Sequence, residues 1–421
     1  MSDGSGPVIW RKAMTDRRKL RIVTVYLFSF MATFALSGTM FSTILPKIIQ
    51  DYGLTLAQAG LFTVSQSAGN LLAMLLTALV GDKSEKNLLV GLAFAMMGIM
   101  LLGISFVPPF WALLILMGLL GLSTSALNLM VTAYTSDLYK EDRSRYISLL
   151  HVCFGVGSLL GPAYPMLFSQ AGLAWRHSYL ALGVAVFALG AGYFLYLGRC
   201  DEPSWIGISE CPASSQASGK RKLSGYQGML ALCAMSFLYM GGHQGAFSTW
   251  FQTFLQREDS AAYPEAFTSL CMMIYWIGMV ASRLLGASLP RRITARSVLL
   301  AGSFLGTLLL ASGLLVDQKA FWPAASAMLG LSTGVIYPLT FAISCEQFPE
   351  SSARVSSIVG IFSSLGSMCF GWAIGNAAEH SLQVAMWIPV VSLAAVFFIV
   401  FSGFPKHGRG GAFDQGDRQR A

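Results

Sequence analysis

The side chains that could bind a solute lie within long apolar stretches at helical spacing. Tyr239, His243 and Trp250 fall on one stripe of a helix, and Gln244 lies beside them. Flat aromatic faces next to hydrogen-bonding groups suit a sugar-like ligand, whose ring has apolar faces and a polar rim. A tightly packed aromatic seam is the alternative for Trp250. Function is the preferred interpretation for His243, because an ionisable group in an apolar span is costly to bury.

Two further pairs of polar side chains repeat this spacing. Thr124 and Asn128 stand four residues apart, as do Thr333 and Tyr337, so each pair shares one helix face. The amide of Asn128 needs a hydrogen-bond partner, since an unsatisfied amide is expensive in hydrocarbon. That partner is either a solute or a neighbouring helix.

No residue pattern typical of catalysis accompanies these side chains. The seven cysteines show neither metal-ligand spacing nor a disulfide framework. We therefore expect no cofactor, no metal and no enzyme activity. A membrane enzyme and a non-transporting sensor remain the weaker alternatives. The five histidines are scattered without ligand spacing, at His151, His177, His243, His380 and His407.

The composition excludes a water-soluble domain of this size. Of the 421 residues, 54% are apolar or aromatic and only 11% are charged, whereas a soluble domain carries roughly a quarter charged residues. The high apolar content also excludes a disordered chain. Stretches of about 20 residues almost free of ionisable groups are long enough to cross a membrane as helices. We predict an all-α membrane protein with twelve transmembrane helices, at residues 22–46, 57–80, 87–106, 109–134, 146–169, 176–198, 227–255, 265–287, 297–316, 320–344, 355–377 and 383–404.

The positive charges lie mainly on one side of this topology. Of the 28 Lys and Arg residues, all but five fall in the tails or in loops on the same side as the tails. Because positively charged loops stay in the cytoplasm, we expect both termini to be cytoplasmic, in the plasma (inner) membrane. Topology then explains the net charge of +8, and nucleic acid is not an expected partner. The five exceptions are Lys47, Arg176, Arg257, Arg283 and Lys319.

The chain contains an internal duplication. Residues 121–161 align with residues 330–370 at a constant offset of 209, with ten identities in 41 positions and no gap. Internal repeats are typical of secondary transporters, in which two halves enclose one cavity at mid-depth. We predict two pseudo-symmetric six-helix bundles and three cytoplasmic segments. The bundles are 22–198 and 227–404; the tails are 1–21 and 405–421, and the central loop is 199–226.

Short motifs at loop positions resemble the major facilitator superfamily over essentially the whole chain. Gly81-Asp82-Lys83 is similar to a shortened form of the family's cytoplasmic loop motif. The 4–5 and 10–11 loops each carry an acid and an arginine eight residues apart, in equivalent places of the two repeats. The resemblance implies that such pairs bridge helices at the cytoplasmic face. The charge network expected there comprises Asp82, Asp137, Arg145, Arg283, Glu346 and Arg354.

Within that superfamily the sequence resembles the fucose–glucose permease-like branch, which contains sugar:proton symporters. The resemblance rests on segments 121–128, 149–162, 237–250 and 275–286 and on Gly334 with Tyr337-Pro338. It implies a small-molecule substrate, a protein that works as a monomer in the lipid bilayer, and a cavity lined by spans 1, 4, 7 and 10. The residues expected to bind the substrate are Thr39, Thr43, Thr124, Asn128, Tyr239, His243, Gln244, Trp250, Thr333 and Tyr337.

The carboxylates that the resembled permeases use for proton coupling are missing here. Ser42 or Thr43 and Thr124 stand in their places in spans 1 and 4, and no Asp or Glu lies deep in any predicted span. His243 stands where many relatives have a glutamate, and imidazole titrates near neutral pH. Our hypothesis is proton coupling through His243, with His151 as a second candidate and uncoupled facilitation as the rival. A proton-driven drug exporter is the alternative function, since Gly161-Pro162 resembles part of a motif of such exporters.

Overall fold

The computed structural model describes residues 6–80, 85–106, 108–139, 142–197, 223–257, 263–287, 293–316, 318–348 and 352–403. Helices make up nearly all of these residues, and none of them forms a strand, in agreement with the all-α prediction. Eleven helices in this part of the chain are long and apolar enough to cross a membrane. The fold is therefore that of a multi-pass helical membrane protein.

The helices follow the predicted spans closely, and four of those spans are interrupted. The first breaks at Met40 and the twelfth at Met386. The seventh span is a succession of two α-helices with a π-helical segment between them, and the tenth breaks at Gly334 and Val335. The helices are α1 (Gly6–Thr39), α2 (Phe41–Tyr52), α3 (Leu56–Val80), α4 (Lys86–Ser105), α5 (Phe110–Leu138), α6 (Arg143–Gln170), α7 (Arg176–Leu197), α8 (Leu223–Ser236), the π segment (Phe237–Gly245), α9 (Ala246–Leu255), α10 (Glu265–Ala287), α11 (Ala295–Val316), α12 (Phe321–Thr333), α13 (Ile336–Gln347), α14 (Ser352–His380), α15 (Leu382–Ala385) and α16 (Trp387–Gly403).

The described residues form two compact units. The first contains the residues up to Phe41 and those from Leu72 to Leu197. The second contains residues 42–71 and those from Leu223 onward. Residues 42–71 lie in the first half of the sequence, within the bundle predicted over 22–198, yet they pack in the second unit. Hydrogen bonds from α2 to α9 and from α3 to α14 account for this placement.

In the first unit, α1 packs against α6, and α4 packs between α5 and α7. Gly157 of α6 allows the first contact, because a Cβ at this position would lie only 2.0 Å from the carbonyl oxygen of Ala32. The rings of Phe30 and Phe94 stack with their centroids 3.8 Å apart. The glycine in span 5 therefore permits close helix packing, as its position within a span predicts.

The second unit repeats this packing with equivalent residues. Gly366, which aligns with Gly157 in the internal duplication, lies in α14 against the π segment. A Cβ on Gly366 would lie 2.3 Å from the carbonyl oxygen of Phe237. On the other side of the same contact, a Cβ on Gly241 would lie 2.1 Å from the carbonyl carbon of Gly366. Span 5 thus packs on span 1 in the way that span 11 packs on span 7.

The break in the tenth span follows from proline chemistry. Pro338 has no backbone N–H, so the carbonyl of Gly334, four residues earlier, has no helical donor there. Arg283 of α10 supplies a donor instead, with its Nε 3.4 Å from that carbonyl oxygen. The carbonyl oxygens at the break thus accept from side chains, Gly334 from Arg283 and Thr333 from Tyr239 of the π segment.

Candidate functional site

The π segment of the seventh span carries the core of the site. Tyr239 is buried, and its hydroxyl donates a hydrogen bond of 2.7 Å to the carbonyl oxygen of Thr333 at the break in span ten. His243 follows one turn later with 0% of its surface exposed. Its ring centroid lies 5.7 Å from that of Tyr239 and 6.1 Å from that of Phe247. The structure therefore brings three predicted residues together: Tyr239, His243 and Thr333.

Several polar atoms on this span are buried without a protein partner. They are Nδ1 and Nε2 of His243, Oε1 of Gln244 and Nε1 of Trp250. None of these atoms has a hydrogen-bond partner in the part of the chain that the structure describes. Leaving one buried polar group unpaired costs about 1–3 kcal/mol. Span seven therefore carries unpaired hydrogen-bond donors and acceptors on three side chains.

The widened backbone of the π segment contributes to this arrangement. Single-turn π-helical stretches are rare and occur frequently at functional sites. Gly241 and Gly242 lie in the middle of the segment and face α14 and α16, where a Cβ would collide with Gly366 and Ser392. These two glycines therefore allow the π segment to pack closely on α14 and α16.

Tyr337 belongs to a second polar cluster in the same unit. The hydroxyl of Ser363 lies 3.5 Å from that of Tyr337 and 2.6 Å from that of Ser236. The ring of Tyr337 also packs edge-on against Phe341, with centroids 4.8 Å apart. This cluster connects α8, α13 and α14, and it leaves Tyr337 with an internal partner.

The first unit holds the remaining predicted residues. Thr124 is buried, and its hydroxyl donates to the carbonyl of Leu120 in its own helix at 2.8 Å. The hydroxyl of Thr39 likewise donates to the carbonyl of Ala35, 2.9 Å away. Such bonds satisfy the threonine hydroxyls without a solute. Asn128 is half-buried in α5, and His151 is exposed on α6.

Gln252 was not among the predicted site residues, although it is fully buried in α9. Its amide nitrogen donates to Thr43 Oγ1 at 2.9 Å and to Ser42 Oγ at 3.1 Å. Thr43, a predicted binding residue, is therefore engaged by Gln252 within the second unit. The available signal was an amide in the apolar run that follows Trp250.

The predicted charge network is described only in part. Asp137 forms an ion pair with Lys86 at 2.5 Å, and Arg145 is exposed. Asp82 and the side chains of Glu346 and Arg354 lie outside the described residues. Among the described residues, no group of three His, Cys, Asp or Glu side chains has the geometry to hold a metal ion.

Comparison with known proteins yields related transporters. The family model of the Major Facilitator Superfamily matches residues 25–368. The Glucose/mannose transporter GlcP of Bacillus subtilis (strain 168) is 22% identical over 363 residues, which cover 83% of this chain and 88% of that protein. The crystal structure of a D-xylose-proton symporter superposes with a TM-score of 0.73 at 12% identity, covering 91% of this chain and 97% of that one. A bacterial homolog of the human lysosomal transporter Spinster, inward-facing and unoccupied, gives a TM-score of 0.71 at 14% identity over 91% of this chain and 97% of its own.

Proposed function

The chain belongs to the Major Facilitator Superfamily, and from that premise we propose that it moves a sugar-like solute across a membrane by alternating access. The family and the membrane-spanning helices make it a membrane transporter. A small-molecule substrate agrees with the relatives named above, which are described as transporting glucose, mannose or D-xylose. We place the protein in the inner membrane with cytoplasmic termini, on the distribution of Lys and Arg, and assign it no enzyme activity.

The observation that carries the sugar assignment is the set of unpaired polar atoms on span seven. A sugar hydroxyl both donates and accepts hydrogen bonds, so it can pair with the Gln244 carbonyl, the Trp250 N–H and either kind of His243 nitrogen. The indole ring of Trp250 would add a flat apolar surface against which a sugar ring stacks. A cavity for amphipathic drugs would need fewer such hydrogen-bonding groups and more Phe and Met side chains.

Proton coupling through His243 is the second part of the proposal. No Asp or Glu among the described residues is buried, so the carboxylate chemistry of related symporters has no counterpart there. Among the described histidines, whose side chains titrate near neutral pH, only His243 is buried. Protonation of one ring nitrogen would turn an acceptor into a donor and thereby change the pairing with the solute.

Binding and coupling are tested separately. Thermal stabilisation of the purified protein by glucose, mannose or D-xylose, and not by cationic drugs, tests the substrate class. Uptake into proteoliposomes with and without an imposed pH gradient tests the coupling. His243→Asn keeps a hydrogen-bonding side chain without the titration, so we expect it to bind sugar and to lose the response to the gradient. His380→Asn, at an exposed histidine, is the matched control. Stabilisation by drugs alone would contradict the sugar assignment, and indifference of the wild type to the gradient would contradict the coupling.

A further inference from the structure

A fully buried amide joins three helices of the second unit. The Gln252 side chain of α9 donates through its nitrogen to the hydroxyls of Ser42 and Thr43 in α2. Its carbonyl oxygen accepts from Thr268 Oγ1 at 3.4 Å and from Ser269 Oγ at 3.3 Å, both in α10. All five side chains are buried. The nitrogen and the oxygen of the Gln252 amide therefore both have hydrogen-bond partners while these helices are in contact.

An ion pair between α2 and α10 lies about one helical turn from these hydrogen bonds. Lys47, four residues after Thr43, places its Nζ 2.6 Å from Oε1 of Glu265, which precedes Thr268 by three residues. Each side chain is 22% exposed. The pair therefore lies at the solvent-accessible end of the buried amide layer. The positive-charge distribution predicts that this end faces away from the cytoplasm.

The start of α3 is held to α14 in the same unit. Oε1 of Glu379 accepts a 2.6 Å hydrogen bond from the backbone N–H of Ala57. Gly60 packs directly on α14, since a Cβ there would lie 2.6 Å from the carbonyl oxygen of Gly371 and 3.1 Å from the Cα of Gly375. Both α2 and the start of α3 thus contact helices from the second half of the sequence.

The chemistry of this contact suits a device with two discrete states. An apolar seam of the same size would lose its burial on opening, whereas hydroxyl and amide groups exchange their mutual hydrogen bonds for bonds to water at little net cost. A half-open state would leave the Gln252 amide dry and unpaired, which is unfavourable. The contact is therefore stable when fully closed or fully hydrated.

We propose that Gln252, with Ser42, Thr43, Thr268 and Ser269, and the ion pair Lys47–Glu265 form a polar latch. The latch closes the solute path at the end of the protein predicted to be non-cytoplasmic. Opening it separates α2 from α9 and α10, hydrates the amide layer and frees Thr43, which was predicted to bind substrate. This inference rests on the proposed alternating-access transport and adds the residues that gate one side of it.

A cysteine inside the latch reports its opening in intact cells. The reporter is Ser42→Cys in a background in which the seven native cysteines are replaced, and the probe is a membrane-impermeant maleimide. Lys47→Glu puts two carboxylates face to face, so we expect it to speed labelling about threefold. The double variant Lys47→Glu with Glu265→Lys should restore the slow rate. Gln50→Glu introduces a carboxylate at an exposed position of the same helix and should leave the rate unchanged.

A second variant keeps the latch testable if Lys47→Glu fails to fold. Gln252→Ala removes both pairs of hydrogen bonds and adds no large apolar side chain that would resist hydration, so it should also speed labelling. Unchanged labelling in both Lys47→Glu and Gln252→Ala, or no restoration by the charge swap, would overturn the latch. Because labelling needs no solute, that result would leave the proposed transport standing. The labelling rates could respond as expected although the protein binds no sugar. That result would support the latch and contradict only the sugar assignment.

Discussion

Gly366 lies where α14 crosses the π segment, and a methyl group has no room there. The Cβ of Gly366→Ala would lie 2.3 Å from the Phe237 carbonyl oxygen and 2.9 Å from the Phe237 Cα. Since an ordinary carbon–oxygen contact is about 3.3 Å, the two helices must separate by about 1 Å. The groups that resist are backbone atoms, so no side-chain rotation relieves the clash.

The free-energy cost of this separation can be bounded from the contacts it loosens. Overpacking of this kind costs about 1–3 kcal/mol. The 2.6 Å hydrogen bond between Ser236 and Ser363 lies one turn from Gly366, and its loss would add about 0.5–1.5 kcal/mol. Replacing glycine by alanine in a helix gives back about 0.5–1 kcal/mol. We therefore expect Gly366→Ala to lower the free energy of unfolding by about 1–3 kcal/mol.

The matched control is Gly38→Ala in α1, where an added Cβ has nothing within 4 Å. Thermal unfolding in one detergent, followed by tryptophan fluorescence, compares the two variants directly. Gly38→Ala should be as stable as the parent or slightly more stable, and Gly366→Ala should unfold several degrees earlier. The displaced π segment should also weaken the binding of sugar. Equal stability of the two variants would refute the close packing of α14 on the π segment.

Two further substitutions test neighbouring contacts. Tyr239→Phe removes the 2.7 Å hydrogen bond to the Thr333 carbonyl. It should lower the free energy of unfolding by about 1–3 kcal/mol and reduce sugar affinity; a variant as stable as the parent in the same thermal assay would contradict this. Gly60→Ala places a Cβ 2.6 Å from the carbonyl oxygen of Gly371 and should destabilise the protein relative to Gly38→Ala. Equal stability of these two variants would contradict the packing of α3 on α14.

The periodicity of apolar residues sufficed to predict the helical spans, because each span must satisfy its own backbone in hydrocarbon. It did not predict the interruptions of the first, seventh, tenth and twelfth spans. The π segment keeps the apolar character of its span, and its close packing partner Gly366 lies far away in the sequence. The break at Gly334 had a visible cause in Pro338, but a proline in a membrane helix often bends it without ending it.

The candidate site was predictable where the relevant residues share one helix face. The spacing of Tyr239 and His243 indicated such a face, and the structure places both beside Thr333. Gln252 was not predicted because its partners in α2, Ser42 and Thr43, lie 210 and 209 residues away in the sequence, so no local pattern reveals them. The packing of residues 42–71 in the second unit was hidden for the same reason, since the duplication predicts bundles by sequence half.

The central claim is that the polar and aromatic face of span seven binds a sugar and carries it across a membrane. Counterflow of labelled glucose or mannose into proteoliposomes preloaded with the unlabelled sugar tests it most directly, because exchange requires no ion gradient. We predict counterflow by the wild type and a loss of about tenfold or more in His243→Ala, which removes every hydrogen-bonding atom of that side chain. Wild-type protein that exchanges neither glucose, mannose nor D-xylose, or full exchange by His243→Ala, would contradict the account.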